Sequence, residues 1–209
     1  GVPEISARLT RITPRNLASN VVQGGRHFFL EQLVDLDFPD TSGPFTQLVR
    51  VGRLTGRAAP ELVLGLEHVP GGVLVSTLEV MVLERGSTGY QPMWSHTMPG
   101  LAQDIALIDL DSDGTGEVIA LSGYEPLTGG GRQHNLAVLS ASGAVRWSPA
   151  IPLVVGVVGS PRANRLGFTD YNSDGVVDIA SAVERLQVRS GLDGGMLLDV
   201  PFSSFFGTW

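Results

Sequence analysis

Two nine-residue stretches constrain this chain more than any other feature: Asp109-Leu-Asp-Ser-Asp-Gly-Thr-Gly-Glu117 and Asp170-Tyr-Asn-Ser-Asp-Gly-Val-Val-Asp178. Each places oxygen-bearing side chains at loop positions 1, 3, 5 and 9 and a glycine at position 6. Such spacing wraps hard oxygen donors around a calcium-sized cation, and the glycine permits the bend that turns the next carbonyl inward. In the first loop the candidate ligands are Asp109, Asp111, Asp113, the carbonyl of Thr115 and Glu117. In the second they are Asp170, Asn172, Asp174, the carbonyl of Val176 and Asp178. Two Ca2+ sites are therefore expected, the second with one charge fewer because Asn172 is neutral. The competing reading is an ordinary solvent turn, in which Asp and Gly serve side-chain to backbone hydrogen bonds. Recurrence of the whole pattern in one strand context favours the metal.

That context is a hairpin. Apolar runs flank both loops, Ile105 to Ile108 and Val118 to Leu121 around the first, Leu166 to Phe168 and Ile179 to Ala180 around the second. A third copy spans Leu48 to Leu64, but Arg53, Thr55 and Arg57 stand at its first three ligand positions, so it reads as a hairpin without a metal. A weaker fourth copy, Arg8 to Ala18, echoes Arg53 to Val63. The copies start 45 to 61 residues apart, room for about four strands each, which suits propeller blades. The expected fold is all-β: one domain over 1–209, a β-propeller-like array of about four units (1–45, 46–101, 102–162 and 163–209), incomplete or completed by a partner chain or second copy.

The second half of each unit also recurs. Leu78 to Gly86, Asn135 to Gly143 and Leu186 to Gly194 read as a strand entering a glycine turn, followed by Trp94, Trp147 and Leu197 to Pro201. Phe28 to Phe38 suggests outer strands of the first unit. The best helical competitor is Ile179 to Val188, where Ala180, Val183 and Leu186 fall three apart. Long loops are expected at Glu67 to Ser76 and Glu125 to His134, where Pro70-Gly-Gly72 and Gly129-Gly-Gly131 lack core anchors. Trp94 and Trp147 are expected to pack, leaving Trp209 as a candidate docking anchor.

These motifs resemble the FG-GAP family of integrin-type β-propellers and the related VCBS repeats, whose blades carry Asp-x-Asp-x-Asp-Gly-x-x-Asp. The likeness covers the units at 109 and 170 well and the two earlier ones less; Glu117 and Asn172 depart mildly from the pattern. It implies structural calcium at both loops, a scaffold displaying loops for adhesion or assembly, and no catalysis. The neighbouring class of calcium-binding helix pairs requires an acid at position 12, where these loops carry Ala120 and Ser181.

Other chemistry is sparse. There is no cysteine, so neither disulfides nor thiol catalysis arise. All 14 basic residues are arginine against 21 acids, a net charge of -7, which argues against a nucleic-acid groove. No apolar run approaches the roughly 18 residues of a membrane-spanning helix. His27, His68, His96 and His134 form no zinc motif, and Gly-x-Ser-x-Gly is absent. Tyr124, Glu125, Arg132 and His134 fall in one expected loop and keep a carbohydrate lyase or hydrolase as an alternative, with a purely structural module as another. The leading expectation is a non-enzymatic, calcium-stabilised module of a secreted, periplasmic or cell-surface protein that recognises protein or glycan.

Overall fold

The computed structural model describes residues 6–8, 12–15, 27–30, 35–37, 45–57, 59–68, 76–86, 89–124, 132–154, 166–182 and 185–201. Among them are seventeen strands and no helix, so none is long and apolar enough to cross a membrane. The first four strands, β1 (Ser6–Arg8), β2 (Ile12–Arg15), β3 (His27–Leu30) and β4 (Asp35–Asp37), form two antiparallel ladders, β1 with β4 and β2 with β3. The echo within Arg8 to Ala18 therefore does not give an inner hairpin among the described ladders. Only three residues separate β1 from β2, against eight in each later inner turn.

Three antiparallel meanders follow. The first is β5 (Phe45–Gly52), β6 (Glu61–His68), β7 (Thr77–Arg85) and β8 (Tyr90–Pro99), hydrogen-bonded in that order. The second is β9 (Leu101–Ile108), β10 (Glu117–Tyr124), β11 (Arg132–Leu139) and β12 (Val145–Trp147), with β13 (Ala150–Val154) also paired to β11. The third is β14 (Leu166–Thr169), β15 (Asp178–Ala182), β16 (Arg185–Arg189) and β17 (Met196–Pro201). The helical competitor over Ile179 to Val188 gives way to strands β15 and β16: Ile179 is fully buried on one face while Ala180 lies half-buried on the other, a two-residue period. His68 ends β6 and His134 lies inside β11, only 3% exposed, so the expected loops are shorter than 67–76 and 125–134. Residues 69–75, 125–131 and Trp209 lie outside the described residues.

Burial explains why the inner strands are almost continuously apolar. In β10, Val118 and Ala120 face the first meander, while Ile119 and Leu121 face the third, and all four are fully buried. One core joins Val63, Leu78, Val80, Val82 and Met98 to Ile105, Val118, Ala120, Ala137 and Leu139; the next joins Ile119, Leu121, Leu136 and Val138 to Ile179. The far face of the first meander buries Leu62, Leu64, Leu66, Met81 and Leu83 as well. Each such side chain removed from water contributes about 1.5–3 kcal/mol, and sheet stacked on sheet is the source of most of this stability. The outermost β8 alternates exposed and covered residues and tolerates Pro92, as an edge strand does.

Polar joints repeat from one interface to the next. The Trp94 indole donates to the Ala141 carbonyl at 2.9 Å, and the Trp147 indole to the Gly191 carbonyl at 3.1 Å. Each ring also lies against a glycine with positive φ in the neighbouring outer turn: a Cβ on Gly143 (φ 83°) would sit 2.7 Å from Trp94, and one on Gly194 (φ 76°) 2.8 Å from Trp147. The expected packing role of both tryptophans thus takes the form of a hook into the next sheet. At the inner strands, Asp104 of β9 accepts from Arg50 of β5 at 2.8 Å and from the Leu166 N–H of β14 at 3.0 Å, tying three sheets at one carboxylate.

Gly143→Ala is expected to destabilise the protein by about 1–3 kcal/mol through its left-handed backbone alone, with a further loss from the ring contact. Trp94→Leu in the same chain should relieve only the contact part, so urea unfolding of the double variant should show less loss than the two single variants added together.

Candidate metal centre

The inner turns joining β5 to β6, β9 to β10 and β14 to β15 share one backbone plan. Position 4 is left-handed in all three, at Gly56 (φ 69°), Ser112 (φ 59°) and Ser173 (φ 61°), and serine there is uncommon enough to mark local strain. In the two acidic loops position 6 is left-handed too, at Gly114 (φ 89°) and Gly175 (φ 87°). The first acid organises both bends: Asp109 accepts from the N–H groups of Asp113 (3.2 Å) and Gly114 (3.0 Å), and Asp170 from those of Asp174 (3.1 Å) and Gly175 (3.0 Å). Position 5 repeats the device one step on, Asp113 accepting from the Thr115 N–H at 2.7 Å and Asp174 from the Val176 N–H at 2.8 Å. The solvent-turn hydrogen bonds and the ligand pattern are thus present in the same loops.

Position 9 closes the hairpin in each of the three meanders. Glu61, Glu117 and Asp178, buried at 1%, 3% and 0% exposure, accept from the N–H of the residue seven earlier: Leu54 at 2.9 Å, Leu110 at 3.0 Å and Tyr171 at 2.8 Å. The first meander, with arginines where carboxylates would stand, keeps this latch, and its Thr55 hydroxyl donates to the second oxygen of Glu61. The acid at position 9 is therefore a structural acceptor before it is anything else.

The loops differ in what they leave over. In the first, carboxylate oxygens of Asp109, Asp111 and Glu117 lie within 4.8 Å of one another, the span of oxygens on opposite sides of a cation that binds each at about 2.4 Å. Asp111 Oδ1 is shielded from solvent and has no hydrogen-bond partner, so it retains the lone pairs a hard cation would use. Asp113 is exposed beside the trio, and hydrogen bonds from the Thr115 hydroxyl and N–H hold its carboxyl below the usual aspartate range. In the second loop Asp170, Asn172 and Asp174 are exposed, and Asn172 Nδ2 donates to Asp174 at 2.8 Å. Asp178 is committed to the N–H groups of Tyr171, Asn172 and Gly191. Among the described residues one acidic trio is assembled, that of the first loop; neutral Asn172 and the engaged Asp178 account for its absence from the second.

A residue outside the motif completes the first site. Arg146 of β12 donates to Glu117 Oε1 at 2.6 Å and to Asp111 Oδ2 at 2.9 Å. Burial disfavours its charge, but the hydrogen bonds and charges of Asp111 and Glu117 outweigh that and hold the guanidinium more firmly protonated than usual. Register places Arg146 beside Trp147, and the corresponding neighbours of Trp94 and Leu198 are Met93 and Leu197. A cation unique to the one unit with four loop carboxylates was the available sequence signal.

No family model, characterised protein or solved structure matches this chain. The repeated all-β architecture and the acidic trio stand on the geometry alone. Of the residues that favoured carbohydrate chemistry, His134 is buried within β11 and Tyr124 and Arg132 fall in paired strands, so they do not share one exposed loop.

Glu61→Ala should cost about 1–3 kcal/mol by stranding the buried Leu54 N–H, and the loss should be the same in calcium and in EDTA when followed by chemical denaturation. Asp113 has a folded pKa below its unfolded value of about 3.9; its contribution is complete above that value and lost as pH falls through the folded one. Asp113→Asn should accordingly flatten the decline of melting temperature with acid measured in EDTA.

Proposed function

We propose that this chain is a calcium-stabilised, propeller-type binding or assembly module of a secreted, periplasmic or cell-surface protein. The observation that carries the reading is the trio Asp109, Asp111 and Glu117, whose oxygens converge within 4.8 Å at the bend of a repeated hairpin. Donors that are all oxygen suit Ca2+ rather than a softer metal. Bound there, the ion would neutralise carboxylates whose mutual repulsion otherwise works against the closed turn. Asp113 and the Thr115 carbonyl would complete its shell.

The FG-GAP and VCBS likeness supports the same conclusion, with the three stacked meanders as blades. On this reading Asp170, Asn172, Asp174, the Val176 carbonyl and Asp178 hold a second calcium ion, since their turn has the backbone plan of the first. The work of the residues is mechanical: Asp109 and Asp170 set the bends, Glu117 and Asp178 close the hairpins, and the tryptophan hooks transmit that rigidity to the neighbouring sheet. Loops at the sheet ends would recognise a protein or glycan, and a partner chain or second copy would close the array. The module is non-catalytic. Oxygen sites of this kind are matched to the millimolar calcium found outside cells.

Calcium at about 100 times its dissociation constant should raise the melting temperature over EDTA by about 5–10 °C for each loop it occupies. Asp111→Ala should remove the first loop's share of that gain and Asp174→Ala the second's, and the double variant should melt identically with and without calcium. Scanning calorimetry that finds no calcium response in the unaltered chain would refute the reading.

A further inference from the structure

We propose that Arg146 is an internal counter-cation of the first loop, and that a divalent ion competes with its guanidinium for Asp111 and Glu117. This rests on the calcium reading of that loop and adds a control on it. Two guanidinium nitrogens contact opposite members of the trio, Glu117 Oε1 at 2.6 Å and Asp111 Oδ2 at 2.9 Å. Glu117 Oε2 is already held by the Leu110 N–H. The oxygen that remains for an ion on Glu117 is therefore the one Arg146 occupies, and on Asp111 the fork leaves only Oδ1 without a partner. An ion taking the trio as ligands must share or displace the fork.

Comparison of the three meanders shows that the hairpin closes elsewhere without an arginine at this place. Each of the three meanders links position 3 to position 9 across its inner turn. The first does it with the Thr55 hydroxyl on Glu61, and the third with neutral Asn172, whose backbone N–H reaches Asp178 at 3.4 Å. Among the three meanders, the second alone has carboxylates at both positions, and there a cation bridges them. Its four loop acids with Arg146 carry a formal charge of -3, the same as the three acids of the second loop. Arg146 thus lowers the charge an incoming cation meets while keeping the hairpin closed in its absence. Its side chain is 24% exposed, so release into water needs no rearrangement of the core.

The experiment uses the full chain with the second loop disabled by Asp170→Asn and Asp174→Asn, titrated calorimetrically with calcium chloride in chelator-treated buffer. Arg146→Gln in this background should bind calcium about tenfold tighter or more, since two charge-assisted hydrogen bonds no longer oppose the ion. It should also unfold earlier in EDTA. Arg146→Lys, which keeps the charge without the fork, should fall between, and near-ultraviolet circular dichroism checks that each variant is folded. Equal or weaker binding by the folded Arg146→Gln variant overturns the counter-cation while leaving the calcium reading intact. Binding by neither the background chain nor its Arg146→Gln variant overturns both the counter-cation and the calcium reading of the first loop, and binding by the Arg146→Gln variant alone supports the proposal in its strongest form.

Discussion

The residue at the second position of the first two inner turns ties each sheet to the next. Leu54 gives its N–H to Glu61 at 2.9 Å, receives the Gly116 N–H on its carbonyl at 3.0 Å, and has a fully buried side chain. Leu110 does the same with Glu117 at 3.0 Å and the Val177 N–H at 2.8 Å. Buried backbone polar groups must be satisfied, and here the N–H of each leucine is met from within its own meander and its carbonyl from the next. Closure of a hairpin and docking of its neighbour are therefore coupled through one residue. The acidic loops share the plan of a turn that the first meander closes with hydrogen bonds.

The charge problem at that turn has three solutions in one chain. A hydroxyl, a guanidinium and a set of backbone N–H groups each meet the same buried acid, at Glu61, Glu117 and Asp178. Their common logic is that a carboxylate removed from water needs hydrogen bonds on both oxygens. Where a further carboxylate is added at Asp111, the surplus negative charge has no backbone answer, and a cation must supply it.

Much of this was legible in the residues. Loop spacing and the flanking apolar runs placed the three inner hairpins, because turn chemistry and strand alternation act over a few neighbours. Trp94 and Trp147 declared themselves by recurring after the same outer hairpin. Arg146 did not, since its partners lie 29 and 35 residues away and only the pairing of β11 with β12 brings them together. His134 reads from the sequence as part of a glycine-rich loop because that loop precedes a strand whose start no local signal marks. The helical spacing at Ile179 to Val188 lost to burial, which rewards a residue according to the sheet it faces rather than its own sequence period. Second-loop ligation could be read as a donor set, whereas the engagement of Asp178 by Gly191 depends on a turn 13 residues on.

Two kinds of joint recur in the same order along the chain. Indole donors reach forward from Trp94 and Trp147, and buried leucines at 54 and 110 receive the following unit's amide. In the third meander the matching places hold Leu198, which cannot donate, and Tyr171, which is 51% exposed. The succession of sheets is thereby written into their side chains, independently of the linkers, so that shuffling the three meanders along the chain would produce mismatched couplings even if every individual sheet formed.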